Sequence, residues 1–151
     1  MWGTIITITA IEQADLEQFA VLGEELFGSG TNRANLTSVF AKIQADASYI
    51  FIGAKDERQK LLGSVMGIVC SDTVGECRPF MVLENIIVSR QSRRQGVGKK
   101  LMAYLEAQAR AQNCYCIILL SHVRRQEAHS FYEAMGYPKD IVQGFKKIFV
   151  D

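Results

Sequence analysis

The chain has 151 residues, of which 48% are hydrophobic and 22% are charged, a balance typical of soluble globular proteins and not of disordered or fibrous ones. Its 17 basic and 16 acidic residues leave a net charge of +1, so no whole-protein field favours nucleic acid or an anionic membrane as a partner. Any anion-binding site must be local. The length predicts a single domain over residues 1–151.

The apolar segments and the cysteines indicate the compartment. No segment approaches the roughly 18 apolar residues of a membrane span, and residues 1–10 lack a basic start followed by a long apolar stretch. We therefore expect a cytoplasmic protein. The cysteines lack the paired spacing of zinc or thioredoxin sites, so we predict reduced thiols and no metal site; they are Cys70, Cys77, Cys114 and Cys116.

Periodicity in the first part of the chain predicts one strand followed by two helices. Residues 4–9 alternate as a short strand does, and acidic residues from Glu12 onward open an amphipathic helix that ends at Gly28. Asn35 or Thr37 is the expected cap of the second helix, because such side chains accept hydrogen bonds from free N–H groups at a helix start.

The middle of the chain predicts three strands, a helix and a fourth strand. The three strands are residues 49–54, 61–70 and 80–88, and the helix is residues 96–112. Residues 115–120 form a continuous apolar run, as expected of a strand buried on both faces. A strand, a helix and a strand in this order predict a parallel crossover connection.

The last part of the chain predicts one more helix and a closing strand. The helix covers residues 126–135 and ends at Gly136, where a glycine is the usual stop signal. Residues 145–150 are apolar and β-rich, so we expect a final strand there.

Residues 84–98 carry the most informative pattern, a strand that passes through a basic turn into a helix opened by glycines. The first turn of a helix exposes unpaired N–H groups and a positive dipole end, and glycine lets a phosphate approach the main chain closely. Arg93 and Arg94 add positive charge before Gly96, and Lys99 and Lys100 add more after it. The segment therefore predicts a diphosphate site.

Two common phosphate-binding loops do not match this segment. A dinucleotide fingerprint requires a glycine where Leu101 stands, and a Walker loop requires glycine at Arg93 and Ser or Thr at Lys100. The sequence therefore argues against a nucleotide-dependent enzyme.

The segment resembles the acetyl-CoA signature of the GNAT superfamily of N-acetyltransferases, Arg/Gln-x-x-Gly-x-Gly/Ala, here Arg93-Arg94-Gln95-Gly96-Val97-Gly98. Residues 128–137 are similar to the family's second motif, a helix with Phe-Tyr followed by Gly and an aromatic residue, here Phe131-Tyr132 and Gly136-Tyr137. The resemblance covers residues 82–137.

The resemblance implies an α/β protein with the GNAT fold, a mixed sheet whose central strands splay apart. It implies acetyl-CoA as cosubstrate and transfer of the acetyl group to a primary amine of a small molecule or a protein, by direct attack on the thioester. A noncatalytic acyl-CoA-binding regulatory domain is the alternative, because one fold can serve several functions. The implied partners are acetyl-CoA and an amine, without nucleic acid or membrane. A homodimer is an open alternative to a monomer.

The resemblance also implies the residues that hold the cosubstrate. The N–H groups of the helix start and the basic side chains around it would bind the CoA diphosphate; they are Arg93, Arg94, Gln95, Gly96, Val97, Gly98 and Lys99. The strand end Ile86, Ile87 and Val88 would line the pantetheine arm. The main chain of Ile86 and Val88 would pair with that arm, and the Val88 N–H would polarise the thioester carbonyl.

Tyr132 is the candidate general acid, because a phenol with a pKa of about 10 can protonate a departing thiolate of pKa about 8.5. A tyrosine that only packs in the core is the alternative. Glu84 is the candidate base, acting on the amine through water, or else a solvated strand residue. His122 and His129 are weaker candidates for the base.

Arg125 departs from the family pattern, in which asparagine is common seven residues before the tyrosine. An arginine there could bind the CoA 3′-phosphate, bind an acidic substrate, or remain solvated. The sequence does not indicate which amine is the acceptor.

Overall fold

The structure is a computed structural model and describes residues 3–150. Those residues form five strands and four α-helices, with short 3₁₀ turns at Gln13–Asp15 and Arg90–Ser92. In chain order the elements are β1 (Thr7–Ala10), α1 (Leu16–Phe27), α2 (Arg33–Gln44), β2 (Tyr49–Lys55), β3 (Leu61–Cys70), β4 (Phe80–Val88), α3 (Val97–Ala111), β5 (Ile117–Leu119) and α4 (Gln126–Ala134). No helix among the described residues combines the length and the apolar character needed to cross a bilayer.

The five strands form one sheet in the order β1-β2-β3-β4-β5. The first four strands pair antiparallel with their neighbours. Next to β4, Tyr115 N–H donates to the Pro79 carbonyl (2.9 Å) and Met81 N–H donates to the Cys116 carbonyl (3.0 Å). Both segments advance in the same direction along these bonds, so β5 runs parallel to β4. The predicted mixed sheet and the crossover through α3 are confirmed.

Helices cover the two faces of this sheet. One core cluster joins α1 and α2 to β3 and β4 and includes Leu22, Phe40, Leu61 and Ile87. The opposite face carries α3, whose Val97, Leu101, Met102, Leu105 and Ala109 are buried. The predicted apolar stripe of this helix is thus its buried face.

Gly63 of β3 lets α3 begin close to the sheet. A Cβ atom at this position would lie 2.7 Å from the Ile87 carbonyl oxygen and 3.0 Å from Val97 Cγ1. Both distances are shorter than normal contacts, so no larger residue fits without a shift of the main chain. The start of α3 is therefore held directly against the end of β4.

A buried ion pair joins the start of α1 to the end of β2. Lys55 Nζ lies 2.8 Å from Asp15 Oδ1, and both side chains are 7% exposed. The second carboxylate oxygen of Asp15 accepts a hydrogen bond from the Glu12 N–H at 2.8 Å. A buried charge pair is stable only when its remaining bonding capacity is filled in this way.

Several predicted boundaries move by a few residues. Asn32, and not Asn35 or Thr37, caps α2, with its Oδ1 accepting from the Asn35 N–H at 2.9 Å. The first strand begins at Thr7, where pairing with β2 starts. The expectation that residues 115–120 are buried on both faces is wrong: Tyr115 and Leu120 are more than half exposed. The physical reason is that β5 covers only Ile117–Leu119, so both of these residues lie outside the sheet.

The chain divides into two compact units, Met1–Ile118 and Leu119–Asp151. In the second unit α4 ends at Ala134, Met135 is its C-cap, and Gly136 follows at φ 88°. The predicted strand over residues 145–150 is wrong, since those residues have no strand conformation. A β-rich composition alone does not make a strand, which exists only where a neighbouring strand pairs with its main chain. The single-domain assignment stays a prediction.

Candidate active site

A β-bulge interrupts the pairing of β4 with β3. Ser64 is paired with Ile87 and Met66 with Glu84, so two steps along β3 correspond to three steps along β4. Within the extra stretch Asn85 has φ 52°, a left-handed conformation that asparagine tolerates better than most residues. Bulges bend a strand locally and often lie beside functional sites.

The bulge directs two side chains of β4 to the same face. Residues that are paired across an antiparallel ladder share a face, and so do residues two apart on one strand. Ser64 and Met66 are two residues apart on β3, so their side chains share a face. Their partners Ile87 and Glu84 therefore also share a face, although these two are three residues apart on β4. This face is the one covered by α1 and α2. Ile87 lies in the core cluster there, and Glu84 is half-buried. No hydrogen bond or ion pair joins the Glu84 carboxylate to another described residue.

The end of β4 extends past its parallel neighbour. The hydrogen bonds to the segment that leads into β5 are made by Pro79 and Met81, near the beginning of β4. The strand β5 has only three residues, whereas β4 has nine. The last residues of β4 thus pair with β3 on one edge and extend past the end of β5 on the other edge. Ile86 and Val88 are half-buried there. Because the Ile87 side chain lies in the core, only its main chain is available to a ligand.

The turn after β4 is anchored at both of its serines. Ser89 N–H donates to the Leu62 carbonyl (2.9 Å), and Ser92 N–H donates to the Ser89 carbonyl (2.9 Å). Both serines are buried. The following loop then turns sharply, with Arg94 at φ 61° and Gly96 at φ 80°. Glycine adopts this conformation without strain, and arginine does so at a cost.

The start of α3 presents free backbone donors beside positive charge. The first helical hydrogen bond runs from Lys100 N–H to the Gly96 carbonyl at 3.0 Å, so the N–H groups of Val97, Gly98 and Lys99 have no acceptor in the helix. No side chain caps this end. The side chains that surround it are exposed; they are Arg93, Arg94, Gln95, Lys99 and Lys100. Such an arrangement suits a diphosphate.

Tyr132 and Arg125 lie in the second unit. Tyr132 is buried on α4, and its ring centroid is 5.6 Å from that of Phe131. Arg125 occupies the N-cap position of α4 and is exposed. His129 has its imidazole Nε2 3.0 Å from the His122 carbonyl oxygen, so the two histidines belong to one local hydrogen-bonded turn.

The described residues contain no group of three or more His, Cys, Asp or Glu side chains placed to hold a metal ion. The four cysteines are free thiols. Burial raises the pKa of the Cys114 thiol, and the neighbouring Cys116 adds to that effect. A thiol with a raised pKa carries little thiolate at neutral pH, so Cys114 is a poor nucleophile.

The sequence profile of the Acetyltransferase (GNAT) family matches residues 12–137. The chain therefore belongs to the GNAT acetyltransferase family, as its two motifs predicted. A comparison with curated protein sequences finds no match.

Solved structures with the same fold have diverse descriptions. A transcriptional regulator from Bacillus halodurans has a TM-score of 0.87 at 22% identity, over 96% of this chain and 100% of its own. Glucosamine-6-phosphate N-acetyltransferase from Arabidopsis thaliana has a TM-score of 0.83 at 21% identity, over 96% and 99%. An aminoglycoside N-acetyltransferase in complex with CoA has a TM-score of 0.81 at 19% identity, over 97% of both chains. Identities this low show a shared fold, and the fold alone does not decide the activity.

Sequence reasoning missed the β-bulge at Asn85. Its signal was weak, because a single asparagine inside an apolar strand is also common on solvated strand faces. The bulge becomes visible only from the pairing with β3.

Proposed function

We propose that the protein is an acetyl-CoA-dependent N-acetyltransferase that moves an acetyl group to a primary amine of a small molecule or a protein. The observation that carries this proposal is the start of α3, where three N–H groups without a helical acceptor lie beside several exposed basic side chains, one short turn and loop after a bulged strand. The N–H groups of Gln95, Gly96, Val97 and Gly98 would hold the diphosphate, and Arg93, Arg94 and Lys99 would neutralise it.

The end of β4 would position the thioester. Ile86 and Val88 lie past the stretch that pairs with β5, so their main-chain groups on that side are available to the pantetheine arm, as a further strand would be. In this arrangement the Val88 N–H donates to the thioester carbonyl oxygen. A fixed backbone donor of this kind stabilises the negative charge that develops on that oxygen during attack.

The reaction forms an N–C bond and breaks the C–S bond, and it releases one proton from the amine. Glu84 would accept this proton through water, since its half-buried carboxylate has no partner among the described side chains. Tyr132 would supply a proton to the departing sulfur. Phenol and thiol have similar pKa values, so this transfer has a small thermodynamic cost. Arg125, exposed at the start of α4, would bind the CoA 3′-phosphate or an acidic substrate.

The test is steady-state kinetics with acetyl-CoA, a panel of primary amines and a thiol reagent that detects free CoA. Wild-type protein should release CoA with at least one amine. Tyr132→Phe should lower kcat by about 10- to 1000-fold with little change in KM for acetyl-CoA, the pattern of a lost acid. Tyr104→Phe, which removes a phenol from the exposed side of α3, is the matched control. Equal kcat values for Tyr132→Phe and wild type would exclude Tyr132 as the acid.

A noncatalytic acyl-CoA-binding domain is the second candidate, favoured by the structural similarity to a protein described as a regulator. It predicts saturable binding of acetyl-CoA and no release of CoA with any amine. Binding and turnover measured on one preparation separate the two functions.

A further inference from the structure

The side chain of Glu25 on α1 contacts the start of the loop that leads to α3. Arg90 backbone N–H donates to Glu25 Oε1 at 2.6 Å, across 65 residues of sequence. The Arg90 guanidinium donates to the Glu25 carbonyl at 3.3 Å, and its Nε lies 3.9 Å from the same carboxylate. One residue of α1 thus binds the main chain and the side chain of Arg90.

Arg90 is the first residue of the 3₁₀ turn Arg90–Ser92, and this turn has no side-chain cap of its own. The N–H groups at the start of a helical turn lack internal acceptors, and a carboxylate is a strong acceptor for them. Glu25 therefore supplies from another helix the cap that Ser89 does not supply. Four residues later the loop contains Arg94 at φ 61°, a conformation that persists only where the surroundings hold it.

Gln18 makes a similar contact two turns earlier on α1. Its Oε1 accepts from the Leu61 N–H at 2.9 Å, where β3 begins. Residues seven apart lie on one side of a helix, so the same side of α1 binds the main chain at the start of β3 and at the end of β4. Between these two contacts lies a cleft of about 500 Å³ whose lining includes Leu61 and Arg90. The two hydrogen bonds therefore join α1 to the main chain on both sides of this cleft.

The neighbouring Glu24 provides a natural comparison. Its carboxylate accepts from the Arg33 guanidinium and from the Thr31 N–H, the latter at 3.3 Å, and no hydrogen bond or ion pair joins it to the described residues of the loop after β4. The two side chains are similarly exposed, at 32% for Glu24 and 29% for Glu25. The two carboxylates thus differ mainly in their partners: α2 and its preceding loop for Glu24, and the loop after β4 for Glu25.

We propose that Glu25 is a positioning residue for the diphosphate-binding loop: its carboxylate fixes the Arg90 main chain and thereby the approach to the α3 N-terminus. This role in ligand binding rests on the proposed function. Its effect on the loop does not, since the hydrogen bond is present without a ligand.

Two measurements on the full chain test the proposal, with Glu25→Ala, Glu25→Gln and Glu24→Ala compared with wild type. Native-state hydrogen exchange reports the loop without any ligand. Glu25→Ala should raise the exchange rates of the Arg90 and Ser92 amides, the two in this segment that donate a hydrogen bond, about tenfold or more. Glu25→Gln retains a carbonyl oxygen for the Arg90 N–H and should restore most of the protection. Glu24→Ala should leave these rates within about twofold of wild type.

Calorimetric titration with CoA then reports binding. The Kd should rise about 5- to 50-fold in Glu25→Ala, the range for losing a hydrogen bond to a charged group, and much less in Glu25→Gln and in Glu24→Ala. Urea unfolding checks that the fold is retained. Wild-type exchange rates in Glu25→Ala, or equal changes in Glu24→Ala and Glu25→Ala, would overturn the proposal. Absence of CoA binding by wild type would instead contradict the proposed function. The hydrogen-exchange rates would then still show whether Glu25 holds the loop in place.

Discussion

Two regions of the first unit differ in whether their polar groups have partners within the protein. At the start of α1, Asp15 and Lys55 are buried together, and the second oxygen of Asp15 is occupied by the Glu12 N–H. At the start of α3, three backbone N–H groups have no helical acceptor, and the charges around them are exposed. The charged groups of the first region are paired within the protein, whereas the N–H groups of the second region remain available to bind an anion.

This difference separates residues that stabilise the fold from residues available for binding. A buried ion pair is sensitive to the loss of either partner, whereas an exposed helix N-terminus contributes little to stability until an anion occupies it. Substitutions in the first region should therefore change the free energy of unfolding. Substitutions in the second region should mainly change the affinity for CoA.

The largest expected effect is on stability. Lys55→Met leaves the Asp15 carboxylate buried without its cation, which should lower the free energy of unfolding by about 3–5 kcal/mol. Urea denaturation followed by circular dichroism measures this change. Lys60→Met is the matched control, because Lys60 is exposed on the adjacent turn, and it should change the stability by less than about 0.5 kcal/mol. A Lys55→Met variant as stable as the control would show that the pair is not needed for the fold.

Arg94→Gly should have a smaller effect, and one of opposite sign. Glycine relieves the left-handed strain at φ 61° but loses more chain entropy, so the net gain in the free energy of unfolding should be about 0.5–1 kcal/mol. Loss of the charge should at the same time raise the Kd for CoA a few-fold. Arg94→Asn, which also tolerates this conformation, should behave similarly. A loss of stability in both variants would contradict the assigned strain.

The smallest effect concerns the exposed contacts between α1 and α2. The Arg33 guanidinium beside Glu17 and Glu24 lowers the pKa of both carboxylates below their ordinary value of 4.5. Lowered values in the folded state mean that this stabilisation is present above about pH 4.5. It is lost as the pH falls through the lowered values.

Because these groups are exposed and screened, the contribution should be small and should shrink in salt. The stability difference between wild type and Arg33→Gln, measured from pH 7 to pH 3, should decrease as the pH falls. A difference that stays constant over this range, or grows in acid, would contradict the ion-pair assignment.

The bounds of β3, β4 and α3 could be predicted from the sequence to within about one residue. The bounds of β3 and β4 agree with the pattern because charged or glycine-containing turns flank both runs. The start of α3 is marked by Gly96, whose φ of 80° is a conformation that glycine adopts without strain. These predictions were correct because each bound depends on residues that are adjacent to it in the sequence.

Features that depend on distant residues could not be predicted. The Lys55 side chain is buried although lysine is usually exposed, and only the fold brings Asp15 next to it. The bulge at Asn85 arises from pairing with β3, and the contact of Glu25 with Arg90 spans 65 residues. Residues 145–150 have the composition of a strand, but no composition supplies a pairing partner. The proton-transfer roles of Glu84 and Tyr132 stay predictions.

The most direct test of the central claim is a calorimetric titration of CoA into wild type, Gly96→Glu and Gly75→Glu. The two glycines have similar left-handed conformations, at φ 80° and φ 62°, and an added Cβ atom would meet nothing within 4 Å at either position, so both variants carry similar backbone strain. A carboxylate at position 96 also repels the diphosphate. We predict saturable binding by wild type and by Gly75→Glu, and a Kd at least about 30-fold higher for Gly96→Glu, which corresponds to about 2 kcal/mol. Equal affinities for the two variants, or no binding by wild type, would contradict the assignment of the α3 N-terminus as the diphosphate site.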